Sequence, residues 1–146
     1  MEWKRMSGVK FGVYIGSQVV ATVLLLAFIV LWPGTWNGQR IAGSIVLIVG
    51  VGLLSLARFQ LGRSFSITAQ AKKLVTHGLY SKIRNPVYVF GAVAMAGFFM
   101  IVQKPALWVL FAFIVVMQIA RARKEAQVLE AKFGDEYRAY RAQTWF

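Results

Sequence analysis

LVTHGLYSKIRNPVY, running from Leu74 to Tyr88, is the stretch whose reading decides the fold. It is polar and basic, and long apolar runs flank it. Gly78, Tyr80, Arg84, Asn85, Pro86 and Tyr88 crowd into it. A second polar block runs from Arg121 to Tyr140. The chain has 146 residues, of which 58% are apolar and 15% charged. A soluble domain of that size cannot hide so much apolar surface, so a bilayer must take part of it. The two polar blocks are then expected to meet at a membrane surface.

The net charge is +12. On a soluble chain this would suggest nucleic acid. Here the apolar mass would go unexplained by that reading, and lysines and arginines gather against anionic headgroups on the cytoplasmic side of membrane proteins. No nucleic-acid partner is expected. The chain has no cysteine and one histidine, so a disulfide, a thiolate nucleophile and a zinc site are not expected.

The fold class read from the chain is an all-α integral membrane protein. It has four transmembrane helices and a cytoplasmic amphipathic helix after them, in a single domain over 1–146. Met1 to Lys10 is basic, like the start of a signal peptide. The apolar run after it is too long for a signal and lacks a small-residue cleavage site, so it reads as a first span, about 9–32. Gly8, Gly12 and Gly16 share one face there and suit a close helix neighbour. Trp32 and Trp36 suit an interfacial belt, and Pro33-Gly34 stops the helix.

Gln39 and Arg40 read as a short turn before a second span, about 41–61, with Gly43, Gly50, Gly52 and Ser55 as a small-residue side. Arg58 near its end can snorkel to the headgroups. The segment from Gly62 to Asn85 is too long for a hairpin turn, and long ordered loops are often functional. Pro86 opens a third span, about 87–102, at the one helix position where its missing N–H costs nothing. Gly91, Ala94 and Gly97 line one side of it. Gln103-Lys104-Pro105 breaks the run, and a fourth span follows, about 106–120. The amphipathic helix is placed at 121–142, with apolar residues at three- and four-residue spacing and a break near Gly134-Asp135. Fifteen of the seventeen lysines and arginines then fall on one side, with Arg40 and Lys104 opposite. That split puts both termini and the central loop in the cytoplasm. No carboxylate or lysine sits mid-span, which argues against an ion-coupled transporter.

The two polar blocks carry a resemblance. Gly78-Leu79-Tyr80 followed by Arg84-Asn85-Pro86-Val87-Tyr88 is similar to the motif G-x-Y-x-x-x-R-H-P-x-Y. Glu125, then Phe133-Gly134-Asp135-Glu136-Tyr137 and Tyr140, is similar to its partner, an acidic pair followed by F-G-x-x-Y-x-x-Y. Leu61 to Ser66 and Leu74 to Thr76 also fit. Together they resemble the isoprenylcysteine carboxyl methyltransferase and phospholipid methyltransferase superfamily over Leu61 to Tyr140.

The resemblance implies an integral membrane enzyme that uses S-adenosylmethionine at the cytoplasmic face and takes a lipid-like or prenylated acceptor from the bilayer. It implies a cofactor site at Gly78, Tyr80, Arg84, Asn85, Pro86, Tyr88 and Glu125, with Arg121 and Glu125 as catalytic residues. Arg84 would hold the cofactor carboxylate, the tyrosines would pack on adenine or the sulfonium, and Arg121 would orient an acceptor carboxylate. Carboxyl O-methylation of an isoprenylcysteine-like substrate is the first expectation. N-methylation of a phospholipid or other amine, a non-catalytic protein on the same scaffold and a nicotinamide-dependent membrane reductase are the alternatives. Three departures stand out. Asn85 replaces a histidine and cannot shuttle a proton, Ala126 replaces the second acid, and Phe90 replaces a usual glycine, though Gly91 follows at once. His77, just outside the motif, reads as an ordinary loop residue.

Overall fold

The computed structural model describes residues 8–61 and 74–146, with side chains from Gly12 onward. The motif residues Gly62 to Ser66, with Lys72 and Lys73, lie outside the described residues. The chain falls into two compact units that divide between Thr35 and Trp36.

The first unit is one helix, α1 (Gly8–Leu31). Its apolar side chains are largely exposed, from Val13 to Leu31, as a helix solvated by lipid requires. Phe28 and Trp32 meet at its end, tilted at 46° with ring centroids 5.2 Å apart. The space beside Gly12 and Gly16 is open, so within this unit the expected glycine face meets no neighbour.

The second unit contains α2 (Gly38–Leu61), a 3-10 turn (Gly78–Ser81), α3 (Pro86–Val102), α4 (Ala106–Phe133) and α5 (Asp135–Gln143). The expected turn at Gln39-Arg40 is instead the first turn of α2. Asn37 explains the earlier start: its Oδ1 accepts the Arg40 N–H at 3.0 Å, which caps the helix. Arg40 is buried, with its guanidinium 4.2 Å above the Trp36 ring. Asn37 also trades two amide hydrogen bonds of 3.2 Å with Gln103, tying the start of α2 to the end of α3.

Helices α2 and α3 form the tightest contact in this unit. A Cβ on Gly50 would lie 2.6 Å from the Ala94 nitrogen, and one on Gly43 would lie 2.6 Å from the Met100 Cβ. A Cβ on Gly97 would strike the Leu47 nitrogen. Gly43, Gly50, Ala94 and Gly97 therefore make the expected small-residue contact, whereas Gly52 and Gly91 face open space. Phe99 meets Trp108 and Phe111 edge-on, with centroids 6.5 and 6.1 Å away, which joins α3 to α4.

Among the described residues, three helices have the length and composition to cross a membrane: α1, α2 and α4. α3 is a shorter apolar helix of 17 residues. The fourth span (106–120) and the first part of the amphipathic helix (121–133), expected as separate elements, are one rod of 28 residues in α4; the rest of the amphipathic helix is α5, after the expected break at Gly134-Asp135. No breaker stands between Ala120 and Arg121, and the Arg, Lys, Glu, Gln, Ala and Leu that follow are all strong helix formers. The rod ends at Gly134, whose φ of 53° suits a residue without a Cβ. Asp135 and Glu136 then open α5, where acidic side chains complement the helix dipole.

Candidate active site

The two polar blocks meet. The tail of the chain lies alongside the loop ahead of α3 in a short parallel bridge between Ile83 and Trp145. The Trp145 N–H donates to the Lys82 carbonyl at 3.0 Å. In return the Arg84 and Asn85 N–H groups donate to the carbonyls of Trp145 and Phe146 at 2.9 and 2.8 Å. Tyr140, buried on α5, donates its hydroxyl to the Tyr80 carbonyl at 2.7 Å. These bonds satisfy backbone groups of an irregular segment that no helix could serve.

Beneath this junction Ala57, Val75 and Tyr80 form a small core with Leu61, Leu79, Val87 and Phe90 around it. Gly78 adopts φ 61°, as expected of a glycine there, and a Cβ on it would strike the Gln60 side chain. Gln60 Oε1 accepts the Leu79 N–H at 2.7 Å. The close approach that Gly78 permits is thus to α2. Gln60 carries no pattern that would have marked it in the sequence.

The expected site residues gather into two groups around α4. In the first, Glu125 Oε1 accepts the Tyr88 hydroxyl at 2.6 Å and the Arg121 Nε at 3.4 Å. Tyr80 lies near enough for the Glu125 charge to add to the rise in its pKa, after burial and Tyr140. The Tyr80 hydroxyl is buried and has no hydrogen-bond partner among the described residues.

The second group lines a cavity of about 410 Å³, within the ~300–1,000 Å³ range of small-molecule sites. Arg84 and Asn85 stand on one side of it. Ile119, Ala122, Arg123, Ala126, Gln127 and Glu130 of α4 form another wall, and Arg141 and Phe146 complete the lining. Asn85 caps α3 without a side-chain bond to it, and Pro86 behind it is buried at the first helical position. Ala126, where the acidic pair would continue, leaves that wall small. Among the described residues, Arg84 Nε is buried with no hydrogen-bond partner, a condition that costs about 1–3 kcal/mol unless an acceptor arrives. A carboxylate is the acceptor that best fits a guanidinium.

The tyrosines around Arg84 are buried and electrostatically linked to it. Burial pushes the Tyr140 hydroxyl up to about 12, with Tyr137 raising it further and Arg84 opposing. Burial likewise raises Tyr137, opposed by Arg84 and Arg141. Glu130 holds Arg138 at 2.9 Å and Arg141 at 3.9 Å, which pins α5 across the end of α4. Glu130, Arg141 and Phe146 were not singled out from the sequence. Glu130 and Arg141 fall at charged positions of the tail that no motif marks, and Phe146 lies past the motif.

The fold and this site define a helical membrane protein whose polar residues converge where α4 changes from apolar to charged. The model of the phospholipid methyltransferase family matches residues 39–136, and the chain belongs to that family of membrane methyltransferases. No curated protein and no solved structure matches the chain.

Proposed function

We propose that this chain transfers a methyl group from S-adenosylmethionine to a lipid-like acceptor at the cytoplasmic face of the membrane. In this reading all 146 residues work as one domain with four spans and both termini cytoplasmic. The observation that carries the reading is the junction of the tail with the loop ahead of α3. It brings Arg84, Asn85, Tyr88 and Glu125 to one end of the helices.

Bound S-adenosylmethionine supplies an electrophilic methyl on a sulfonium, whose positive charge disperses in the transition state, so a water-poor site favours transfer. The chain's own work is alignment, which supplies most of the acceleration in such a displacement. Arg84, with its orphaned buried Nε, fits the cofactor's carboxylate. Tyr80, Tyr88 and Glu125 offer ring faces and a negative charge suited to a sulfonium or an ammonium. Pro86 and Gly78 hold the backbone that presents them.

For the acceptor, N-methylation of a phospholipid amine is the reading the geometry favours. Arg121 already engages Glu125, so an incoming carboxylate would have to compete with Glu125 for it, whereas an ammonium headgroup would be drawn to Glu125, whose carboxylate can take the proton the amine must lose before its lone pair attacks the methyl. Carboxyl O-methylation of an isoprenylcysteine-like substrate is the second reading. Asn85 favours it, because a carboxylate acceptor needs no base and asparagine supplies none.

The test is labelled-methyl transfer by the purified full chain in vesicles containing either phosphatidylethanolamine or a prenylcysteine analogue. Label is expected in the phospholipid, falling about a hundredfold or more in Glu125→Ala and Arg84→Ala. Label only in the prenylcysteine selects the second acceptor. Unchanged turnover in both variants refutes the site, and no S-adenosylhomocysteine binding at millimolar concentration refutes the activity in favour of a non-catalytic scaffold.

A further inference from the structure

Charge is unevenly shared around α4. The cavity wall holds three arginines, Arg84, Arg123 and Arg141, against one acid, Glu130. That acid is already engaged by Arg138 and Arg141. The cavity therefore presents a positive field. A donor bearing a sulfonium is repelled by it everywhere except at its carboxylate, and Arg84, the arginine with a buried orphan nitrogen, can take that group. Arg123 and Arg141 stand at the exposed rim; Arg141 touches Glu130 only at 3.9 Å, and a phosphate can draw it away because Glu130 keeps the shorter 2.9 Å pair with Arg138.

Depth points to the ligand. Val116 and Met117 are the last large exposed apolar residues of α4, and Arg121 is the first charge after them. The headgroup layer thus begins near Arg121. Ile119 and Ala122 at the cavity's lower edge lie at the boundary, while Arg123 lies one turn above Ile119, about 6 Å along the axis. An amphiphile entering from the bilayer would lay its glycerol region against the small apolar wall and its phosphate between the two arginines. We propose that Arg123 and Arg141 form an anion subsite that anchors the phosphate of a phospholipid acceptor. It is separate from the cofactor's carboxylate at Arg84. This rests on the phospholipid reading above and adds the element that selects the headgroup.

The experiment is binding of dihexanoyl phosphatidylethanolamine to the detergent-purified full chain, read calorimetrically. Dihexanoylglycerol and inorganic phosphate serve as separate arms. Arg123→Gln/Arg141→Gln is expected to weaken phospholipid binding about tenfold or more, since charge-assisted bonds are lost. The same variant should leave dihexanoylglycerol and S-adenosylhomocysteine affinities within about twofold. Arg123→Lys/Arg141→Lys, which keeps the charge, should recover most of the loss and shows that the glutamine variant has not simply misfolded. Phospholipid affinity unchanged in the glutamine variant, or an equal loss for dihexanoylglycerol, overturns the subsite. Inorganic phosphate bound as tightly as the phospholipid also overturns it, because the site would then serve a free anion. If these affinities follow expectation while no lipid accepts a methyl group, the subsite stands and the catalytic reading falls.

Discussion

Tyr137 and Tyr140 sit one turn apart on α5, and both are buried, at 0% and 8% exposure. Their hydroxyls differ in one respect. Tyr140 donates to the Tyr80 carbonyl at 2.7 Å, whereas the Tyr137 hydroxyl has no partner among the described residues. Replacing each with phenylalanine removes the same atom from similar surroundings. Tyr140→Phe deletes a hydrogen bond and strands a buried carbonyl, so it is expected to destabilise the chain by about 1–3 kcal/mol. Tyr137→Phe deletes a desolvated group that gains nothing, so it is expected to be neutral or stabilising. For a chain of this length 1 kcal/mol moves the thermal midpoint by roughly 3–5 °C. Tyr140→Phe should therefore unfold several degrees earlier than wild type in detergent, and Tyr137→Phe should not. The difference also has a functional arm. The Tyr140 bond ties α5 to the turn ahead of α3, so its loss should weaken S-adenosylhomocysteine binding as well. Equal midpoints for the two variants would refute the claim that this bond joins the two polar blocks.

Two further outcomes follow from packing and titration. Gly97→Ala places a methyl against the backbone of Leu47 and Gly43, which cannot swing aside, so it should lower stability by about 1–3 kcal/mol. Gly91→Ala on the same helix faces open space and should be neutral or slightly stabilising by helix propensity; identical midpoints would refute the α2–α3 contact. The folded-state pKa values of Tyr80, Tyr137 and Tyr140 are all raised by burial, with Tyr140 at about 12, against ~10 in an unfolded chain. Their contribution to stability is thus fully present below pH ~10 and is lost as pH climbs through the folded values. A denaturation midpoint flat up to pH ~10 and falling above it, with tyrosinate absorbance appearing late, is the expected profile. Tyrosinate appearing in full by pH ~10 would contradict the burial.

What the sequence disclosed was mostly what repeats. Apolar runs, the α2 and α3 small-residue faces and the Pro86 helix start are periodic or positional signals, and they were legible. Arg40 was not, because a charge beside an apolar run looks like a loop residue. Only the Asn37 cap and the Trp36 ring show why it can be helical and buried. A boundary between the fourth span and the tail helix was expected from a change in hydropathy, yet hydropathy does not break helices; the break falls at Gly134, where the glycine had marked it. At the site, the motif residues were visible as residue types. Their division around α4 was not, because it depends on where the tail docks. That docking rests on backbone hydrogen bonds of Lys82, Arg84, Asn85, Trp145 and Phe146, and backbone bonds leave no mark on side-chain pattern.

The division around α4 also changes how Ala126 reads. An acid there would sit on the cavity wall, beside Arg123 and across from Arg84 and Arg141. It would cancel part of the positive field that an anionic headgroup needs. Glu125 is spared that conflict because it faces Tyr88 and Arg121, outside that lining. A methyl donor bearing a sulfonium and an acceptor bearing a phosphate have opposite electrostatic needs, and a shared wall would serve one at the expense of the other. One helix with an acidic, tyrosine-lined side and an arginine-lined side meets both needs at once. Under the proposed function, Ala126 keeps the two fields apart.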